Sequence, residues 1–404
     1  MKLALICPDY FTMWVFWRGL TRTLVGQGHE VHLLCARDKY MEKLQRSGAI
    51  CTPIHISRFI GPLEDMRLFA ELWAFFVRER PDIVSNFMVK ANIFGAIAAK
   101  LARRPVIVDM ILGLGFFFSG ENSPPKYKIM QKLLLILYRV AFRLCTKVCF
   151  VNSDDLNQLV SLGVVHRKKA IAIKSGIGID LSEFSRDQLS PEYLKGLKKQ
   201  LGLHESTHVV LMVVARIVWP KGIREFVEAS KMVHAKRPSA RFLLVGEFED
   251  DSPQAVPREF IKRSVDEGFS WLGFREDIKE LMALSDVFVL PSYYGEGLPQ
   301  VLIEAMAMGN PLVTTLNVGC KEAVEHGKNG FLVPPKNPLA LGQAIDMILG
   351  DEELKRRFGE YSSIKAKREF DQRKINKRII TELYGLNCAD STGTDLAYSA
   401  HDKK

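Results

Sequence analysis

The chain has 404 residues, 47% hydrophobic and 25% charged, with a formal net charge of +10. That length exceeds what one hydrophobic core organises, so two domains of about 200 residues each are expected, and the ordinary apolar content argues against a disordered or fibrous chain. No uninterrupted apolar run reaches the roughly 18–20 residues of a membrane-spanning helix, and seven scattered cysteines without a Cys-x-x-Cys pair read as reduced thiols, neither a disulfide framework nor a zinc site.

In chain order, the first half alternates strand and helix. Leu3–Cys7 stops at Pro8-Asp9, too short for a secretory signal core, so Lys2–Cys7 is expected to be a first strand. Further strands are expected at His29–Ala36, Ala49–Ile56, Asp82–Phe87, Pro105–Met110, Lys147–Val151 and Ala170–Lys174. Helices are expected between them at Val15–Gly28, Tyr40–Gly48, Pro62–Arg80, Lys90–Arg103, Pro125–Thr146 and Asp154–Gly163. Repeated strand–helix units imply an α/β fold with a parallel sheet covered on both faces, its ligands at the carboxyl ends of the strands. The loops there are Pro8–Trp17, Asn86–Asn92, Asp109–Gly120 and Ser175–Asp180. No Gly-x-Gly-x-x-Gly follows the first strand, which argues against a dinucleotide-binding dehydrogenase.

Charge is unevenly spread. Residues 1–180 carry 25 Lys/Arg against 14 Asp/Glu, a balance of +11, whereas residues 181–404 balance at −1. The basic half implies an anionic partner: nucleic acid, an anionic membrane face or a lipid diphosphate. No RNA- or DNA-binding motif supports the first. On the helix expected at Pro125–Thr146, Lys128, Lys132, Arg139 and Arg143 fall with Lys147 on an arc of about 100°, opposite Leu134, Leu137, Ala141 and Leu144. Preceded by Phe116-Phe117-Phe118, such a helix suits an anionic bilayer surface. Taken alone it better suits a domain helix whose apolar face covers the sheet and whose basic face is simply wet, because the fold needs that apolar face.

Leu181–Leu203 is polar and weakly periodic, a linker with a short helix. The alternation then restarts, with strands at Thr207–Val214, Ala240–Val245, Ser270–Leu272, Asp286–Pro291, Pro311–Thr315 and Gly330–Val333. Helices are expected at Gly222–Lys236, Gln254–Asp266, Asp277–Leu284, Pro299–Gly309, Pro338–Leu349, Asp351–Arg368 and Asp371–Gly385. The resulting organisation is a first domain over 1–180, a linker over 181–205 and a second domain over 206–368. A terminal helix over 369–386 is expected to return to the first domain, followed by a disordered polar tail over 387–404.

The strongest chemical signal is Tyr294–Gly309. A buried strand, a glycine-flanked loop and a helix opening at Pro299 in succession make an anion site, because first-turn N–H groups and the helix dipole face a phosphate. Glycines on both sides of Glu296 let backbone approach a ligand, and Glu304 lies a little over two turns into the helix. A diphosphate at the helix mouth with a carboxylate on either side suits a nucleotide-sugar. A buried helix with a surface Glu at each end would show the same residues.

Several further blocks follow the same order as in a known family. They are Ala215-Arg216 with Lys221-Gly222, Val245-Gly246, Leu272–Asp277, Pro291-Ser292, the Glu296 and Glu304 pair with Glu304-Ala305-Met306-Ala307, Gly319–Glu322 and Asn329–Val333. Across residues 207–349 they resemble glycosyltransferase family 4, the retaining enzymes of the GT-B fold, in which two doubly wound parallel-sheet domains face each other across a cleft. In the first half, Trp17-Arg18-Gly19, Asn86–Gly95 and Gly113-Leu114-Gly115 are similar to the subgroup that builds bacterial capsule, O-antigen and lipid-linked glycans.

The resemblance implies a hexosyltransferase at the cytoplasmic face of the bacterial inner membrane. It would move a hexose or N-acetylhexosamine from a nucleotide-sugar, UDP-linked by preference, to an undecaprenyl-diphosphate-linked saccharide. Arg216 and Lys221 would meet the diphosphate as it gains charge, since a guanidinium forks onto two oxygens and an ammonium adds a point charge. By the same resemblance Glu296 would hold the donor sugar, Glu304 the ribose, and the backbone of Gly297 and Leu298 the phosphates. Gly246 and the segment with Phe274, Arg275 and Ile278 would line the rest of the donor site. Candidate acceptor or cleft residues are Arg18, Lys90, Asn92, Asp109, Gly113 and Gly115. The family's His after the fifth strand has no counterpart in Asp109–Gly115, and Asp109 or Arg18 is a candidate to stand in for it. No metal or other cofactor is expected; Glu249-Asp250-Asp251 lies in a charged loop that gives oxygen ligands no frame. Two rivals are a soluble transferase acting on a small sugar or phosphosugar and a non-catalytic sugar-nucleotide-binding scaffold.

Overall fold

The computed structural model describes residues 1–57, 61–115, 125–266 and 268–388. Phe116–Phe118 and nearly all of the expected tail lie outside these residues. The first domain is a seven-stranded parallel sheet: β1 (Lys2–Asp9), β2 (Glu30–Ala36), β3 (Ile50–Pro53), β4 (Ile83–Phe87), β5 (Val106–Ile111), β6 (Lys147–Phe150) and β7 (Ala170–Ala172), in the order β3-β2-β1-β4-β5-β6-β7. The second is a six-stranded parallel sheet: β8 (His208–Ile217), β9 (Ala240–Phe248), β10 (Phe269–Trp271), β11 (Val287–Leu290), β12 (Leu312–Thr315) and β13 (Gly330–Val333), in the order β10-β9-β8-β11-β12-β13. Each sheet is buried on both faces, which is why its strands read as continuous Val/Ile/Leu runs.

In each sheet the strand order reverses once, beside β1 in the first and beside β8 in the second. Chains leaving the two central strands there diverge to opposite faces and open a crevice at their carboxyl ends. The crevice of the second sheet therefore receives the loops after β8 and β11, which carry the residues singled out above.

Among the boundaries that differ from expectation, three show the physical reason most directly. β8 runs on to Ile217, because a register shift between Val213 and Arg216 lets the strand continue past its apolar run. The helix expected from Gln254 begins at Arg258, since Pro257 cannot donate into a preceding turn and residues 254–255 bond to the loop after β8. β3 shrinks to Ile50–Pro53 at the sheet edge, where a residue lacking N–H is tolerated.

The long helix Pro125–Leu144 buries Leu134, Tyr138, Ala141 and Phe142 against the first sheet. Lys128, Lys132 and Arg143 are exposed on its far side. Ile129, Leu133, Ile136 and Val140 are exposed as well, at 45–67%. The neighbouring helix Pro62–Glu79 likewise leaves Leu63, Met66, Trp73 and Val77 exposed, and both helices flank helical residues 91–101 in one layer.

The chain's last helical segment, residues 372–383, leaves the second domain and seals the first. Ile375, Ile379, Ile380 and Leu383 join the core formed by Leu3, Leu5, Leu20 and Leu24, and the Tyr384 hydroxyl donates to Ser85 Oγ at 2.9 Å. Because this core draws on both ends of the chain, Ile380→Ala should destabilise the protein by about 3 kcal/mol. Chemical denaturation should show the loss in the unfolding of the first domain.

Candidate active site

The loop after β8 places Arg216 and Lys221. Beyond the register shift Arg216 still pairs with Glu247 of β9, and its guanidinium Nη1 donates to Glu249 Oε2 at 2.8 Å. Burial works against that charge, but Glu249 and the nearby Tyr294 more than offset it and hold the guanidinium protonated. Lys221 ends a short turn, Trp219–Lys221, where Gly222 adopts φ +83 and lies so close to the Pro291 carbonyl that a side chain would collide. Tyr293 N donates to Pro220 O at 2.8 Å, so the loops after β8 and β11 are bonded to each other.

That bonding brings Lys221 to Glu296. The ammonium Nζ lies 2.6 Å from Glu296 Oε1, with the side chains 16% and 11% exposed, and it also sits over the Tyr294 ring at 5.2 Å. Ser292 Oγ lies 2.8 Å from the same carboxylate oxygen. Beneath them Cys320 is buried, and burial first, then the Glu296 charge, pushes its thiol up to about 12. It remains a neutral thiol and offers no nucleophile.

The helix after this loop is Gln300–Ala307, with Pro299 at its cap. Glu304 is half-buried on it. Burial, reinforced by Glu183 and opposed by Arg18, raises its carboxyl to about 7. The other donor-side candidates lie around the same crevice. Gly246 N donates to Gly273 O at 3.0 Å, Phe274 is 58% exposed, Ile278 is partly buried, and Arg275 Nε holds Asp277 at 2.7 Å.

The first domain closes directly on the Glu296 loop. Gly115 N donates to Gly295 O at 3.2 Å, and Asn152 Nδ2 donates to Gly297 O at 3.1 Å. Gly113, at φ +135, abuts Gly297 N, and a side chain at Gly297 would strike the Leu112 carbonyl. Lys321 and Asp154 pair across the same boundary at 2.8 Å.

The remaining first-domain candidates are placed differently from expectation. Asp109 is fully buried on β5, where Asn86 Nδ2 of the neighbouring strand donates to its Oδ1 at 2.7 Å. Burial raises its carboxyl to about 7. It does not open onto the cleft and cannot replace a catalytic-loop His. Asn92 is also buried, donating to Met110 O at 3.1 Å. Both shape the base of the 112–115 loop from behind. Lys90 is held by Asp65 at 2.5 Å and Ser57 at 2.9 Å. Arg18 pairs with Glu183 of the linker, toward the Glu304 end of the crevice and away from Glu296. Of the acidic loop residues, Glu249 is taken by Arg216 and Asp250 by Arg258. Among the described residues one group has metal-ligand spacing, Glu30, His32 and Glu79, at the amino end of the first sheet, and Lys2 Nζ bridges its two carboxylates.

Comparison with known proteins adds to this geometry. A family model described as "Glycosyl transferase 4-like domain" matches residues 11–174, and one described as "Glycosyl transferases group 1" matches 208–351. The chain belongs to this glycosyltransferase family. It is 29% identical over 359 residues, 88% of this chain and 91% of the relative, to the N,N'-diacetylbacillosaminyl-diphospho-undecaprenol alpha-1,3-N-acetylgalactosaminyltransferase of Campylobacter jejuni. It is 28% identical over 321 residues, 77% of each chain, to the UDP-Gal:alpha-D-GlcNAc-diphosphoundecaprenol alpha-1,3-galactosyltransferase of Escherichia coli. Among solved structures, Anabaena HepE in complex with UDP and glucose superimposes with a TM-score of 0.76 at 22% identity, covering 96% of this chain and all of that one. WaaG, a glycosyltransferase of lipopolysaccharide biosynthesis, superimposes at 0.74 with 15% identity, covering 95% and 100%. The fold is GT-B.

In this glycosyltransferase, sequence reading named Gly113, Gly115 and Gly297, which meet where the domains join, but missed Asn152, Ser292 and Glu183. Asn152 has a local signal, since Asn152-Ser153-Asp154-Asp155 is a helix cap and Asn152 Oδ1 accepts from Asp155 N at 2.7 Å. Its second bond, to Gly297, has no local signal. Ser292 stood within a recognised block without a role, and Glu183 stood in the linker. The contact at Gly297 makes a specific prediction. Gly297→Ala should lower turnover at least about tenfold, since the added methyl pushes the domains apart, while leaving the unfolding midpoint of the second domain close to wild type. Steady-state kinetics and calorimetry on the same sample check both halves.

Proposed function

We propose that this glycosyltransferase moves a hexose or N-acetylhexosamine, with retention and without a metal ion, from a UDP-sugar to an undecaprenyl-diphosphate-linked saccharide. The observation that carries this is the convergence of Lys221, Arg216 and Glu296 at the switch point of the second sheet, against the 112–115 loop of the first. As the donor's anomeric C–O bond breaks, negative charge grows on the diphosphate. Lys221 and Arg216 exchange their carboxylate partners for its oxygens, which stabilises the leaving group where its charge develops. Glu296, released from Lys221, accepts from a hydroxyl of the donor sugar. The acceptor hydroxyl forms the new bond on the same face, and its proton passes to the departing diphosphate oxygen. Glu304 accepts from the ribose hydroxyls, and Gly297 and Leu298 offer backbone to the phosphates. The Campylobacter and Escherichia relatives named above support the acceptor, and the UDP complex of HepE supports the donor.

The acceptor's lipid gives a reason for the outer layer of the first domain. No helix among the described residues is long and apolar enough to cross a membrane. The two helices Pro125–Leu144 and Pro62–Glu79, both packed on residues 91–101, instead each offer an exposed apolar face, with Lys128, Lys132, Arg67 and Arg78 exposed on the same helices. In this reading these faces seat in the interface of an anionic bilayer and their cations meet the headgroups, a peripheral association at the cytoplasmic side.

Two measurements test the proposal. Ligand that binds only the folded state raises apparent stability, so UDP should raise the melting temperature in chelator more than GDP or ADP, and Glu304→Gln should remove that rise. No shift with any nucleotide would contradict the donor reading. Separately, Leu133→Glu with Ile136→Glu should abolish sedimentation with phosphatidylglycerol vesicles while transfer to a short-chain soluble acceptor persists. Unchanged sedimentation would remove the membrane reading and leave the transferase reading intact.

A further inference from the structure

The end of the first domain and the linker that follows it are stitched to the two ends of the helix that carries Glu304. At its start, Gln300 Nε2 donates to Gly178 O at 2.8 Å; at its end, Arg186 Nε donates to Met308 O at 2.6 Å. Residues 179–185 therefore run alongside the helix, and Glu183 lies beside Glu304. From the other domain, Arg18 reaches across the boundary and its Nη2 binds Glu183 Oε2. The Arg18 and Glu183 side chains are 16% and 29% exposed. A groove of about 420 Å³ lined by Arg18, Arg22, Asp180, Ser182 and Arg373 opens at this junction.

We propose that Arg18 and Glu183 are positioning residues for the donor site: from opposite directions they determine whether the Glu304 carboxylate is ready to accept the hydroxyls of the donor's ribose. The proposal rests on the reading that Glu304 meets the ribose. A carboxylate accepts both hydroxyls of a vicinal diol, whereas the protonated acid loses one acceptor position to its own hydrogen. Glu304 is half-buried, and its carboxylate has no hydrogen-bond partner among the described residues, so its charge depends on the field around it. Arg18 favours that charge and Glu183 opposes it. Among the described residues these two are the charged groups that act on it. The helices Ile278–Leu284, Cys320–Ala323 and Glu352–Glu369, also packed against Gln300–Ala307, supply none.

Because Arg18 belongs to the first domain and Glu304 to the second, this influence acts across the domain boundary.

The test is the pH dependence of UDP-glucose affinity. Its diphosphate diester stays ionised throughout, so the titration observed belongs to the protein. Calorimetry between about pH 5.5 and 8.5 on the full chain compares wild type with Arg18→Gln, Arg18→Lys, Glu183→Gln and Glu304→Gln. Since Glu304 binds as the carboxylate and titrates near 7, wild-type affinity should weaken as pH falls through that value. Loss of Arg18 removes a group that lowers this pKa, so Arg18→Gln should move the inflection up by about one pH unit, and Arg18→Lys should restore it. Glu183→Gln should move it down. Glu304→Gln should flatten the profile. Inflections that do not move, or that move in the same direction in Arg18→Gln and Glu183→Gln, would overturn the proposal while leaving the ribose role of Glu304 standing. A Glu304→Gln variant with unchanged affinity and profile would overturn the ribose role and the proposal together.

Discussion

The structure depends most on the absence of a side chain at Gly297. Its Cα side meets the Leu112 carbonyl and Val151 of the first domain, and its own carbonyl accepts from Asn152. Gly319 packs against the same peptide from within the second domain. The loop that carries Glu296 is therefore a wall shared by both domains. Its neighbours Gly113 and Gly115, at positive φ, let the opposing loop approach to hydrogen-bond distance.

Around that contact lie two ion pairs, Lys221 with Glu296 and Arg216 with Glu249. In the function proposed above both cations exchange these partners for diphosphate oxygens, and the pairing holds them oriented beforehand. A second set of polar groups does the opposite. Asn86, Asn92 and Asp109 are fully buried near the carboxyl ends of β4 and β5, where Asn86 donates to Asp109 and Asn92 donates to Met110 O. These residues stiffen the floor of the cleft and take no part at its surface.

The fold was legible because parallel sheets covered on both faces announce themselves as apolar runs separated by amphipathic helices. The second-domain candidates were legible as a group because Arg216, Lys221, Glu296 and Glu304 sit at fixed offsets from such runs, on loops and a helix that the fold brings to one crevice. What remained hidden depends on which strands become neighbours. Asp109 stood at the end of a strand and looked available; only its register with Asn86 shows that it is paired inward. On Pro125–Leu144, opposing basic and buried arcs left an intermediate arc about 60° wide unassigned. Leu133 and Val140 fall in it, Ile129 and Ile136 lie at the adjoining edge of the basic arc, and together they turn the helix from a wet basic surface into an apolar one edged with charge. Glu183 had no local signal, because its importance comes from Arg18, far away in the chain, and from a helix in the other domain.

The most direct test of the account is transfer of labelled sugar from a UDP-sugar to a polyprenyl-diphosphate saccharide in the presence of chelator, comparing wild type with Lys221→Ala. The account predicts glycosidic product of retained anomeric configuration from the wild type. It predicts a loss of at least about a hundredfold in kcat for the variant, with UDP still bound. A variant that turns over at the wild-type rate, or a wild type that binds UDP yet forms no glycosidic product, would contradict it.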